Sequence, residues 1–266
     1  MAWNAASPKN RAQARLPGHL GRGGSTATPA NLEYRLGKLR ERGLLHGIWL
    51  DCGCATGGYA FAMNSWGVDR VLGIDVEFEP VSRAQRMSSP QSPVSFCCAT
   101  SENMPFPSAS FDGVLLNEVL DHVIDEVGTL REIRRVMRPG GVLALVSPNR
   151  WFPFDGHGMS LAGIAIDKPV PFLPWLPSKL VMRFLRARNY WPNELRRIVR
   201  GAGFEIIHSE SVFPVLEAYP WLPTPVIRWY RRALPVLEGL PGIRNFGVST
   251  LIIARRSTDA GFGRTL

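Results

Sequence analysis

Nowhere in this chain do about 18 apolar residues follow one another without a charge, so the sequence predicts no membrane-crossing helix. Cysteine is scarce: four residues in 266, with Cys52 and Cys54 flanking a glycine-rich loop and Cys97 and Cys98 adjacent. Neither spacing makes a disulfide framework or a C-x-x-C metal pair, so reduced thiols, a cytoplasmic setting and no metal are expected. There is no G-x-G-x-x-G run, which removes the usual dinucleotide fingerprint. Residues 1–30 lack the apolar stretch of a signal peptide. Their mixture of Ala, Gly, Ser, Pro and Arg reads instead as a disordered basic tail. No internal repeat recurs at a fixed period.

What the chain does have is unevenly placed. Its net charge of +9 comes from the flanks. Residues 1–48 carry 8 basic and 2 acidic groups, residues 179–266 carry 14 and 6, and residues 49–178 carry 9 and 14. A mildly acidic middle between basic flanks argues for a surface facing phosphates of lipid or substrate more than for a uniformly basic nucleic-acid binder; arginine-rich usage alone is the plainer alternative. Tryptophan and proline concentrate after residue 150. The length suits one large α/β domain with insertions. We place this domain at 31–256, with cap insertions at about 151–192 and 214–245 and a flexible tail at 257–266.

The most informative stretch is Ile48-Trp-Leu-Asp51-Cys-Gly53-Cys-Ala55-Thr-Gly57-Gly58, a short apolar strand, an acid, and a loop of small residues before a helix-compatible segment. Glycines at such a turn permit positive φ and close approach of a ligand to bare backbone. A carboxylate two residues before the first glycine suits a ligand carrying an ammonium group and would repel a pyrophosphate. Arg70-Val-Leu-Gly-Ile-Asp75 follows, a second apolar strand ending in an acid placed to hold ribose hydroxyls. Further on, Phe111-Asp112 opens an apolar strand. Leu130, Ile133, Arg134 and Met137 recur with helical spacing until Pro139-Gly140-Gly141 stops the helix.

The loop, the acid at 75, the segment Ser101-Glu-Asn-Met-Pro-Phe to His122, and the run Leu130 to Val146 together resemble the class I S-adenosylmethionine-dependent methyltransferases of the small-molecule, "type 11" kind. The resemblance spans roughly residues 45–150. It implies a doubly wound, Rossmann-like α/β sheet of seven strands with the last antiparallel, here under a helical, Pro/Trp-rich cap formed by the insertions. It implies S-adenosyl-L-methionine as cofactor, with Asp51, Gly53, Ala55 and Gly57 around its methionine part and Asp75 on the ribose. Thr100, Ser101 and Glu102 would edge the adenine, and Asn117 would begin the loop beside the sulfonium. Two departures stand out. Ala55 replaces the middle glycine. Thr100 replaces a common acid, so its hydrogen bond to adenine would lack charge assistance and be roughly half as strong.

The implied reaction is methyl transfer to a small acceptor, hydrophobic or lipid-linked, at oxygen, nitrogen or carbon. Nucleic acid is not the expected acceptor, since no N-P-P-[YF] run is present. The alternative is a non-catalytic relative that acts through protein or membrane contact. His157, flanked by glycines two residues after Asp155, and His122, in a matched family position, are the candidate catalytic histidines, each equally readable as a tether. Glu118 is a candidate pocket acid and Tyr190 a weaker candidate contact. Trp and Tyr beside arginines in 214–245 have the composition of an interfacial helix, open to peripheral membrane contact, a buried lid or a homodimer.

Overall fold

The computed structural model describes residues 29–154, 159–161, 164–166, 171–177, 187–216 and 223–257. Nearly all of both predicted tails lies outside these residues, as does the candidate His157. The elements run α1 (Pro29–Arg40), β1 (Ile48–Cys52), α2 (Gly58–Ser65), β2 (Arg70–Asp75), α3 (Phe78–Met87), β3 (Val94–Cys98), β4 (Phe111–Asn117), α4 (Glu126–Val136) and β5 (Met137–Pro148). They continue with β6 (Met159–Leu161), β7 (Ile164–Ile166), α5 (Pro192–Gly201), β8 (Phe204–Val212), α6 (Thr224–Gly239) and β9 (Ser249–Arg256).

Seven strands form one sheet in the order β3-β2-β1-β4-β5-β9-β8. All its pairings are parallel except those of β9, which is antiparallel to both β5 and β8. The predicted sheet is thus present, its final strand inserted between β5 and β8. The chain steps outward from β1 to β3, then returns to β4 on the other side of β1. This reversal opens a crevice beyond the carboxyl ends of β1 and β4, where open α/β sheets bind ligands.

Both faces of the sheet are covered, so its strands read as nearly continuous apolar runs rather than alternating ones. Leu50, Ile74, Val114, Leu116 and Leu143 pack with Leu130 and Ile133 of α4 and Leu195 and Val199 of α5. On the opposite face Trp49, Val71, Leu115 and Ala144 pack with Leu36 and Leu39 of α1 and Ala60 and Met63 of α2. The first helix is short, twelve residues. It ends at Arg40, and Gly43 at φ 64° turns the chain so that Leu44 and Leu45 can be buried. Asp125 caps α4 by accepting from Gly128 N at 2.9 Å.

The insertions after β5 and β8 differ in kind. The described part of the first holds β6 and β7, an antiparallel pair separate from the main sheet, and a 3-10 turn at Leu173–Trp175. The helical part of the cap is α6, in the second insertion. No described helix is long and apolar enough to cross a membrane.

Candidate cofactor and acceptor site

The glycine loop is bound to the end of β2 through its own backbone. Gly53 N and Cys54 N both donate to Ile74 O, at 2.7 and 2.9 Å, and Gly57 N closes the turn onto Cys54 O at 2.8 Å. Gly53 and Gly57 have φ of 85° and 83°. A Cβ on Gly53 would lie 2.2 Å from Val119 Cγ2, and one on Gly57 2.5 Å from Phe96 Cζ. Neither position accepts a side chain. Ala55, at φ 45°, holds a left-handed conformation that glycine adopts without strain and alanine does not.

Asp75 lies directly behind this loop. Its Oδ2 accepts from Ala55 N at 2.9 Å and its Oδ1 from Glu77 N at 3.0 Å, so the carboxylate that the sequence assigns to ribose also fixes the loop. Asp51 is only 2 % exposed, and its Oδ2 has no hydrogen-bond partner among the described residues. Burial first, and then the neighbouring charge of Asp75, push the Asp51 carboxyl up to about 7, opposed by a hydrogen bond from the Ala60 backbone. A buried acceptor without a donor is costly, and an ammonium group is the donor that best relieves it. The residues present therefore fit the amino-acid end of S-adenosylmethionine.

Asn117 ends β4 beside this floor. Its Oδ1 accepts from Arg35 Nη1 at 2.7 Å, while Arg35 Nη2 reaches Glu118 Oε1 at 3.0 Å. Ser249 Oγ, from β9, donates to the same Glu118 oxygen at 2.6 Å. Glu118 itself has φ 54°. The candidate pocket acid is thus held in a buried network that locks α1 across the strand ends. Arg35 lies within the apolar stripe Leu32, Leu36 and Leu39; an arginine in that stripe was the signal in the sequence for its role.

Past β3, Thr100 bridges to Asn103 and Ser101 Oγ lies 3.5 Å from Thr129 Oγ1. Glu102 Oε1 accepts from Ile124 N and Asp125 N at 3.1 and 3.3 Å, so its carboxylate fastens the loop before α4. These three sit at the end of β3, beside Asp75. Asp51, Gly53, Ala55, Gly57 and Asp75 share one set of contacts, with Asn117 on the opposite flank.

His122 is turned inward. Both ring nitrogens are buried, and Nε2 lies 3.2 Å from Oδ2 of the fully buried Asp121. Tyr190 is buried as well, and its hydroxyl donates to Leu120 O at 3.1 Å and to Glu126. Burial and the Glu126 charge hold its phenol well above the usual range. Arg188 N donates to Asp121 O at 3.1 Å. Residues 188–190 thus clasp the loop after β4. Nothing in the sequence marked Asp121 for this.

Beyond β5 the same edge of the sheet carries aromatic rings. Trp151 lies 5.1 Å from Trp191 and 5.7 Å from Phe246, and Trp175 lies 5.2 Å from Phe172 and 6.5 Å from Phe246. Arg150 supports them from below, donating to Pro174 O and Leu176 O at 2.5 Å and stacking on Trp191 at 5.2 Å. Asn149 holds the approach of β9, donating to Asn245 O and Gly247 O at 2.7 and 2.8 Å. Trp151, Phe172, Trp175 and Phe246 remain exposed at their outer surfaces.

Residues 50–145 match the family model described as "Methyltransferase domain". The O-methyltransferase resE of Aspergillus sclerotiorum is 40% identical over 217 residues, covering 80% of this chain and 73% of that protein. A sterol 24-C-methyltransferase of Pneumocystis carinii is 28% identical over 179 residues, 65% of this chain and 43% of that protein, so the chain spans less than half of that relative. In fold, an S-adenosylmethionine-dependent methyltransferase from Mesorhizobium loti matches 85% of this chain and 98% of its own, at TM-score 0.59 and 18% identity. With its loop, acids and sheet order in agreement, the chain belongs to the class I S-adenosylmethionine-dependent methyltransferases.

Proposed function

We propose that this chain transfers a methyl group to a small hydrophobic acceptor seated against the aromatic rings beyond β5. The observation that carries this reading is the cluster of Trp151, Trp175, Trp191 and Phe246 at the carboxyl edge of the sheet, the edge that also holds Asp51 and Asn117. Exposed aromatic rings grouped beside a cofactor crevice bind apolar molecules through buried area and ring stacking. The names of the relatives agree with it, one an O-methyltransferase and one a sterol methyltransferase.

When bound, S-adenosylmethionine would supply an electrophilic methyl on sulfur to the acceptor's nucleophilic atom. The chain's own contribution is alignment. Asp51 anchors the amino-acid end, Asp75 and the Gly53–Gly57 loop fix the rest, and Asn117, held by Arg35, sets the near wall. The inward-facing His122 suits a tether of its loop better than a base.

The test is calorimetric titration with S-adenosylmethionine and S-adenosylhomocysteine, wild type beside Asp75→Ala, followed by transfer assays on apolar alcohols, phenols and sterols. Micromolar binding lost in the variant is expected, together with a Trp151→Ala enzyme whose KM rises for apolar acceptors while kcat holds. No binding of either ligand would overturn the reading and favour the non-catalytic alternative. Saturable binding of NADH alone would overturn it too.

A further inference from the structure

We infer that the outer face of α6 is a docking surface for an anionic lipid bilayer, set so that the bilayer lies against the mouth of the acceptor site. The helix contains no buried residue. Among the described residues its inner side is held by Tyr230, which donates to Pro214 O at 2.9 Å, and by Glu238, which accepts from Tyr34 of α1. Its outer side carries two parallel strips. Val226, Trp229 and Val236 form an apolar one, with Trp229 68 % and Val236 62 % exposed. Arg228 and Arg232, four residues apart, form a basic one beside it, and both are exposed. Between Pro223 and Phe246 the only acid is Glu238, and it is turned inward onto Tyr34. Arginine alongside tryptophan and valine, with no exposed acid, matches the composition of helices that lie in the headgroup plane.

The apolar strip does not stop at the helix. Leu240, Ile243 and Phe246 extend it, each more than a third exposed, and Phe246 is itself a member of the aromatic cluster, 5.7 Å from Trp151. Along the chain, these exposed apolar residues give a path from α6 to the rings proposed to hold the acceptor. A bilayer resting on α6 would present a membrane-dissolved acceptor to that path. A second copy of this chain would meet the same arginines, like charge against like; an anionic headgroup layer is the complementary occupant.

This extends the hydrophobic-acceptor reading, and its own test is separate from it. The full chain is sedimented with phosphatidylcholine vesicles containing either no phosphatidylserine or roughly 30 % of it, at low and high salt. Binding is expected only to the anionic vesicles and is lost at high salt. Each arginine near the surface is worth about 1 kcal/mol, so Arg228→Glu with Arg232→Glu should lower partition at least 25-fold, roughly five-fold for each positive charge removed. Trp229→Ala should weaken binding to the anionic vesicles at low salt. Unchanged S-adenosylmethionine titration in these variants shows that they fold. Vesicle binding that survives both substitutions would assign it to another part of the chain and overturn the inference. So would a wild-type protein that ignores anionic vesicles, or a stable dimer dissociated by Trp229→Ala. Transfer to an acceptor dispersed in detergent is measured alongside; its loss would count against the acceptor reading alone.

Discussion

Arg35 in the first helix and Asn117 at the end of β4, 82 positions apart, are joined by a 2.7 Å hydrogen bond, and the same guanidinium holds Glu118 at 3.0 Å. Both charged side chains of that pair are about nine-tenths buried. Removing one partner of a buried pair strands the other. Arg35→Met is therefore expected to cost about 3 kcal/mol, read from the urea midpoint. Adding Glu118→Gln should recover much of that loss, because no charge is then left unpaired; strictly additive effects would mean that the two are not coupled.

Ala55 carries a φ of 45° in the loop proposed to support the cofactor. Ala55→Gly relieves roughly 1 kcal/mol of left-handed strain, partly offset by the greater freedom of glycine in the unfolded chain. The melting temperature should rise by a degree or more, and Ala55→Val should lower it. A glycine variant less stable than wild type would mean that the alanine is not strained.

Asp51 gives a pH dependence whose sign is fixed. Its carboxyl is raised from 3.8 to about 7, so the folded chain binds that proton more tightly than the unfolded chain does. Stability of the ligand-free protein is therefore full below pH 3.8 with respect to this group and declines as the pH rises towards 7. Binding of an ammonium needs the ionised form, so affinity for S-adenosylmethionine should climb close to ten-fold per unit between pH 5 and 6.5, with release of a proton. Calorimetry in buffers of different ionisation enthalpy measures both effects. Asp51→Asn should bind weakly and without this slope.

Burial and the charges of Asp51 and Asp75 push the thiols of Cys52 and Cys54 well above the usual range. Neither should react with a thiol reagent at pH 8 until the chain unfolds. Rapid labelling of Cys52 in the native protein would show that β1 opens locally.

A covalent tie is absent where Tyr190 clasps the loop after β4, and the clasp rests on its hydroxyl. Tyr190→Phe leaves Glu126 and Leu120 O without that donor and should cost about 1–2 kcal/mol. If Tyr190 only tethers this loop, KM for the acceptor should move little at saturating cofactor. A large rise in KM alone would make it an acceptor contact.

The residue pattern by itself points to the glycine loop and to the sheet. The loop from Asp51 to Gly57 and the acid at Asp75 announce themselves because backbone geometry admits so few residue types there: Gly53 and Gly57 have no room for a Cβ. The strands were readable because β1, β2, β4 and β5 are buried on both faces. The hairpin β6–β7 was not, since two three-residue strands carry too little pattern to separate from a loop. Nor was the inward turn of His122, which depends on Asp121 being packed beneath residues 188–190.

The sequence by itself determined the sheet, its glycine loop and the acids beside it, because these rest on local constraints: hydrophobic runs, a permitted φ, an acid at a strand end. Only the tertiary structure decided what lies between distant segments. It joined Arg35 to Asn117 and Glu118, turned His122 away from solvent, gathered Trp151, Trp175 and Phe246 into one aromatic edge, and left Trp229 outside. Such pairings depend on which surfaces the folded chain brings together, and no spacing within a single segment encodes them.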